Sequence, residues 1–139
     1  MVHTLQLSWQ SRRYTRVVKS TIAAECLAFM EAAESAILMK TLLLDMYGSD
    51  TSIDIIVYCD NRNLVDCIGS CTSLEDKRLL IDIAVLRDMV SHGEINDIKW
   101  VSTDKQLANC MTKQGASSCS LIHILNNKLK FDFDQAVFI

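Results

Sequence analysis

The chain has 139 residues, half of them hydrophobic and 22% charged, with a net charge of −3 and no proline. That length suits one domain with a proper core. The acidic balance excludes the broad electrostatic attraction of a strongly basic nucleic-acid binder, though not a local basic patch.

The chain opens with strand signals. Leu5, Leu7 and Trp9 alternate with polar neighbours, the period of a half-buried strand. Arg12, Arg13, Arg16 and Lys19 follow around Val17 and Val18, which predicts a continuation of that strand or a hairpin partner. Ser20 and Thr21 can cap a helix. Ile22 to Tyr47, rich in Ala, Leu, Met and Glu, predicts a long helix packed on more than one side, ended by Gly48 and Ser49. Ile53 to Cys59 is rich in β-branched residues and predicts a buried strand, followed by a short helix through Leu64, Val65 and Ile68.

Ser73 and Asp76 have the spacing of a capping box, and Leu79, Ile83, Leu86 and Val90 follow as one apolar helical stripe. Gly93 suits the helix end. Ile95, Ile98 and Trp100 predict another strand. Thr103 and Gln106 predict a capping box opening a helix through Leu107, Cys110 and Met111. Ser118 to Asn127 predicts a last helix, and the tail from 128 to 139 alternates at Leu129, Phe131 and Phe133 as an extra strand would. Strands alternating with helices predict an α/β layer fold in a single domain, 1–139.

Other classes are excluded or weakly supported. No run reaches the roughly twenty apolar residues of a membrane span; Ala36 to Met46 is broken by Lys40, Thr41 and Asp45. The start lacks the apolar core of a secretory signal. Of the six cysteines, Cys67 and Cys71 are four apart, but no second pair or histidine completes a zinc pattern. Reduced thiols in an intracellular protein are expected.

Glu25, Asp60 and Asn109 are the candidate site. Glu25 is expected in the first turn of the long helix, Asp60 at the end of a buried strand, and Asn109 in the helix opened by Thr103. Sites in open α/β sheets form outside the carboxyl ends of strands, and acids converging there hold hard cations through oxygen. Structural readings stay open: a helix dipole favours an acid near its start, and Asp60–Asn61 can cap the next helix. Separately, Trp9, Arg12, Arg13, Tyr14, Arg16 and Lys19 cluster within eleven residues, as in a surface where cations follow phosphates and aromatics stack on bases. The alternative is Trp9 in the core and the arginines on a solvated strand face.

The ordered strings SWQSRR (Ser8 to Arg13), KSTIAAE (Lys19 to Glu25), YCDN (Tyr58 to Asn61), DKRLLIDIAVLRDMV (Asp76 to Val90), HGEI (His92 to Ile95), WVSTDKQLANCMTKQGAS (Trp100 to Ser117) and LIHILNNKL near the end resemble the ribonuclease H domain of Pol in copia-type retrotransposons. The resemblance spans about Leu7 to Leu129. It implies a ribonuclease H-like fold, a mixed sheet flanked by helices. It also implies an acidic site holding two Mg2+ ions that cuts the RNA strand of an RNA–DNA hybrid. Glu25 and Asp60 then correspond to metal ligands.

Two departures follow from the same resemblance. The family's first aspartate lies upstream of SWQS, before this chain begins, so the first strands are expected to be missing and a sheet edge open to a partner strand or a homodimer. The family's last acid is Asn109 here, within QLANCMTK. Asp104 lies about a turn and a half away and is expected to face solvent. The expectation is a catalytically impaired remnant with weak Mg2+ binding at Glu25 and Asp60. The alternatives are a nuclease completed by a strand from another chain, or a non-catalytic oligomeric or nucleic-acid-binding module contacting nucleic acid through Arg12, Arg13, Arg16 and Lys19.

Overall fold

The computed structural model describes residues 7–11, 13–70 and 75–126. Its longest element is α1, Thr21–Tyr47. Ser20 is the N-cap, its hydroxyl accepting from the Ala23 amide at 3.3 Å. Gly48, at φ 95°, closes the other end by donating to the Leu44 carbonyl. A β-branched or bulky residue would be strained there. Ala23, Cys26, Phe29, Ala33 and Ala36 form the buried stripe. Beyond Ala36 the expected packing on several sides is not found: Leu38, Leu42 and Met46 are exposed.

Strand β1, Ile56–Cys59, pairs in parallel with β2, Asp97–Trp100, with Ile56 opposite Asp97 and Cys59 opposite Trp100. Parallel strands need a crossover. Here it consists of α2, Arg62–Gly69, and α3, Lys77–Ser91. The architecture is therefore α/β, with a parallel two-stranded sheet among the described residues rather than the expected mixed sheet. Asn96 aligns the strand starts. Its side chain accepts from the Ile55 amide at 2.8 Å and donates to Asp54 at 3.0 Å.

The expected stripe on α3 is buried at Leu79, Ile83 and Leu86 but reaches the surface at Val90, which is 37% exposed. With Leu64, Ile68, Val57, Ile55 and Ile95 these residues form the core beneath the N-terminal half of α1. Asp76 caps α3: its carboxylate accepts from the Arg78 and Leu79 amides. Ser73 lies outside the described residues. From α3, Arg87 reaches back to the end of α2. It donates to the carbonyls of Ile68 at 2.9 Å, Cys67 at 2.6 Å, and Ser70, satisfying acceptors that a helix end leaves open.

Two sequence expectations fail outside this unit. Leu7 to Gln10 and Arg13 to Lys19 form no strand. Leu7 and Trp9 are exposed, and the segment is tied to α1 by Tyr14, whose hydroxyl donates to Glu31 at 2.8 Å. The segment after β2 forms one 3₁₀ turn, Thr103–Lys105, and a single turn of helix, α4, Asn109–Thr112, with no side-chain cap at either. The last helix, α5, spans Cys119–Leu125, within the expected range. The proposed tail strand, 128–139, lies outside the described residues, as do Leu5 and Cys71. The five described cysteines are free. No helix among the described residues is long and apolar enough to cross a membrane.

Candidate functional site

The carboxyl end of β1 builds the site. Val57, Tyr58 and Cys59 are buried; the next residue, Asp60, leaves the sheet half-buried. Asn61 then caps α2, its side-chain oxygen accepting from the Leu64 amide at 3.1 Å. The capping role considered for this dipeptide therefore falls to Asn61, and the Asp60 carboxylate is not needed for it.

Glu25 approaches from α1. It is the fifth residue of the helix, so it stands in the second turn rather than the first. Ala23, Cys26 and Phe29 anchor the same stretch in the core, which holds Glu25 at the rim. Glu25 and Asp60 line one open cavity of about 300 Å³ with Asn61, Arg62 and Asn63. Partial burial raises the Glu25 pKa above its ordinary value, the Asp60 charge raises it further, and Lys113 opposes both. Below the two carboxylates, burial pushes the Cys59 thiol up to about 11, helped by both acids and opposed by a backbone hydrogen bond from Asn61.

Asn109 does not line this cavity. Its amide donates to the Thr103 carbonyl, which ties the start of α4 to the 3₁₀ turn. Asp104 is on the surface as expected, and a hydrogen bond from Ser102 holds its carboxyl below the usual range. Among the described residues no three acidic, histidine or cysteine side chains group as a metal cage. The donors present fit one Mg2+ ion that keeps most of its water, the usual form of protein-bound Mg2+ with one or two carboxylates. They do not fit two ions.

The basic cluster divides. Arg16 pairs with Asp82, the buried acid of α3, at 3.1 Å, so its charge is engaged inside the molecule. Arg13 and Lys19 are exposed; Arg12 lies outside the described residues. Trp9 is 62% exposed and is not a core residue.

The sequence signals pass over Arg62 and give Trp100 as a strand residue and the start of a resembling string, with no role at the site. Trp100 follows Lys99 at the end of β2, opposite Cys59. Its ring nitrogen donates to the Asp60 carbonyl at 3.2 Å, and the Arg62 guanidinium lies 5.4 Å over the ring centre. The signal lay in the pairing of two strand ends, which no local pattern displays.

No protein-family model matches this chain, and no curated protein or solved structure is significantly similar to it.

Proposed function

We propose that the chain is a retrotransposon-derived ribonuclease H-like domain that binds nucleic acid and a single weakly held Mg2+ ion, and cuts RNA–DNA hybrids poorly or not at all. The observation that carries this reading is the shared cavity of Glu25 and Asp60 at the carboxyl end of β1, where the sequence resemblance puts two metal ligands. Hybrid cleavage by paired ions requires charge compensation for both. Two carboxylates, with an amide at position 109, supply too little.

The test is Mg2+-dependent cleavage of a labelled RNA–DNA hybrid by the unmodified chain. The reading predicts turnover far below the roughly 1 s⁻¹ of ordinary enzymes. Turnover at or above that rate, abolished by Asp60→Asn, would establish an active nuclease instead.

A self-associating module is the second reading. Leu38, Leu42 and Met46 are 61%, 48% and 74% exposed and lie four residues apart along one helix face. A second copy packing on this row predicts a dimer by solution mass that Leu42→Glu dissociates; a monomer at high concentration removes the reading.

A further inference from the structure

Arg62 lines the cavity with two carboxylates and pairs with neither. Among the described residues it forms no ion pair within 4.0 Å; its contact is the Trp100 ring. The ring is itself fixed, because its nitrogen donates to the Asp60 carbonyl. One indole therefore links the backbone of the acidic residue to the guanidinium and holds the cation against a π face, away from the carboxylates it would otherwise neutralise. The acids stay available to a metal ion, and the guanidinium stays available to an anion. Trp100 is 46% exposed, so a second flat group can reach it.

We infer that Arg62 is a phosphate-binding residue for a nucleic-acid strand and that Trp100 is its positioning residue. A phosphodiester suits the Arg62 guanidinium, which matches phosphate geometry, and a cation held by Glu25 and Asp60 would add positive charge on the other side of the cavity. The neighbouring base or sugar lies against the exposed part of the indole. This rests on reading the cavity as a nucleic-acid site, but the Arg62 contact needs no metal, so the two claims can fail separately.

The experiment uses the full chain carrying Trp9→Phe, which leaves Trp100 as the reporter, since the chain has two tryptophans. A short RNA–DNA hybrid is titrated in EDTA while indole emission and salt dependence are followed. The inference predicts quenching on binding. Arg62→Ala should weaken affinity about tenfold, the loss expected for a charge-assisted contact, and reduce the salt slope by about one. Arg62→Lys should keep the slope while recovering part of the affinity. In a Trp100→Leu background, read by anisotropy of labelled hybrid, the Arg62→Ala effect should shrink, because the guanidinium is no longer held in place. Unchanged affinity and slope in Arg62→Ala overturn the inference, as does equal quenching by inorganic phosphate at the same phosphate concentration. Arg62-dependent binding that persists in Glu25→Gln/Asp60→Asn, with Mg2+ binding absent from the parent, leaves this inference standing and removes the metal reading.

Discussion

Asp76 and Thr103 each stand where the sequence predicts the start of a helix, and they have different outcomes. Behind Asp76 come Leu79, Ile83 and Leu86, all buried, and the carboxylate caps fifteen residues of α3. Behind Thr103 come Asp104 and Lys105, both exposed, and the backbone makes one 3₁₀ turn before α4 begins at Asn109. Capping signals are worth about 1 kcal/mol; a buried apolar stripe is worth several times that. The first region has both and is helix. The second has the signal without the stripe, and the motif Trp100 to Ser117 folds, after β2, into one 3₁₀ turn and one turn of helix rather than the single helix its cap predicts.

Breaking the stripe should have the largest effect. Ile83→Ala should cost about 2–5 kcal/mol in denaturant unfolding, as for a well-packed core residue. Val90→Ala, on the same predicted stripe but 37% exposed, should cost less than about 1 kcal/mol. Comparable losses would mean the stripe does not end where the structure ends it.

The N-terminal basic cluster offers the next contrast. Arg16→Ala leaves Asp82 without its partner and should cost about 1–3 kcal/mol, less than for a fully buried pair because the arginine side chain is 40% exposed. Arg13→Ala should change stability by less than about 0.5 kcal/mol. Equal effects in thermal unfolding would place both arginines on the solvated face that composition alone suggests.

The two caps sharpen the comparison directly. Asp76→Ala should cost about 1 kcal/mol. Thr103→Ala, at a turn with no side-chain cap, should be near neutral. A loss at Thr103 as large as at Asp76 would show that its hydroxyl supports structure after all.

A smaller effect comes from Glu25, whose pKa is raised by burial and then by Asp60. The folded state holds this proton more tightly than the unfolded chain. Between the ordinary value of 4.5 and the raised folded one, folding therefore binds protons, and stability falls as pH rises through that window. Glu25→Gln should remove this fall and be more stable than the parent at neutral pH. Unfolding curves of parent and variant from pH 4 to 8 check it; a constant difference across that range would contradict a Glu25 pKa raised by burial and by Asp60.

Much of the central unit was legible because its signals are local. The long helix, the strand ending at Cys59, the stripe through Leu86 and the strand near Trp100 follow from period and propensity. Less was legible where the deciding partner is distant. Val17 and Val18 look strand-like, yet their segment lies against α1 through Tyr14 and Glu31, and against α3 through Arg16 and Asp82. Arg87 reads as a surface charge on a helix; its role at the end of α2 depends on where the chain returns after residue 70. At the site, the motifs singled out Glu25 and Asp60, which share the cavity. They gave no notice of Arg62, which becomes informative only when the parallel register brings Trp100 beside Asp60.

The most direct measurement is calorimetric titration of the chain with Mg2+ at pH 7, beside Glu25→Gln and Asp60→Asn. The account predicts one weakly bound ion, lost in both variants, and bound more weakly at pH 5 as protons compete for the Glu25 carboxylate. Two ions per chain, or binding that survives both substitutions, would contradict it.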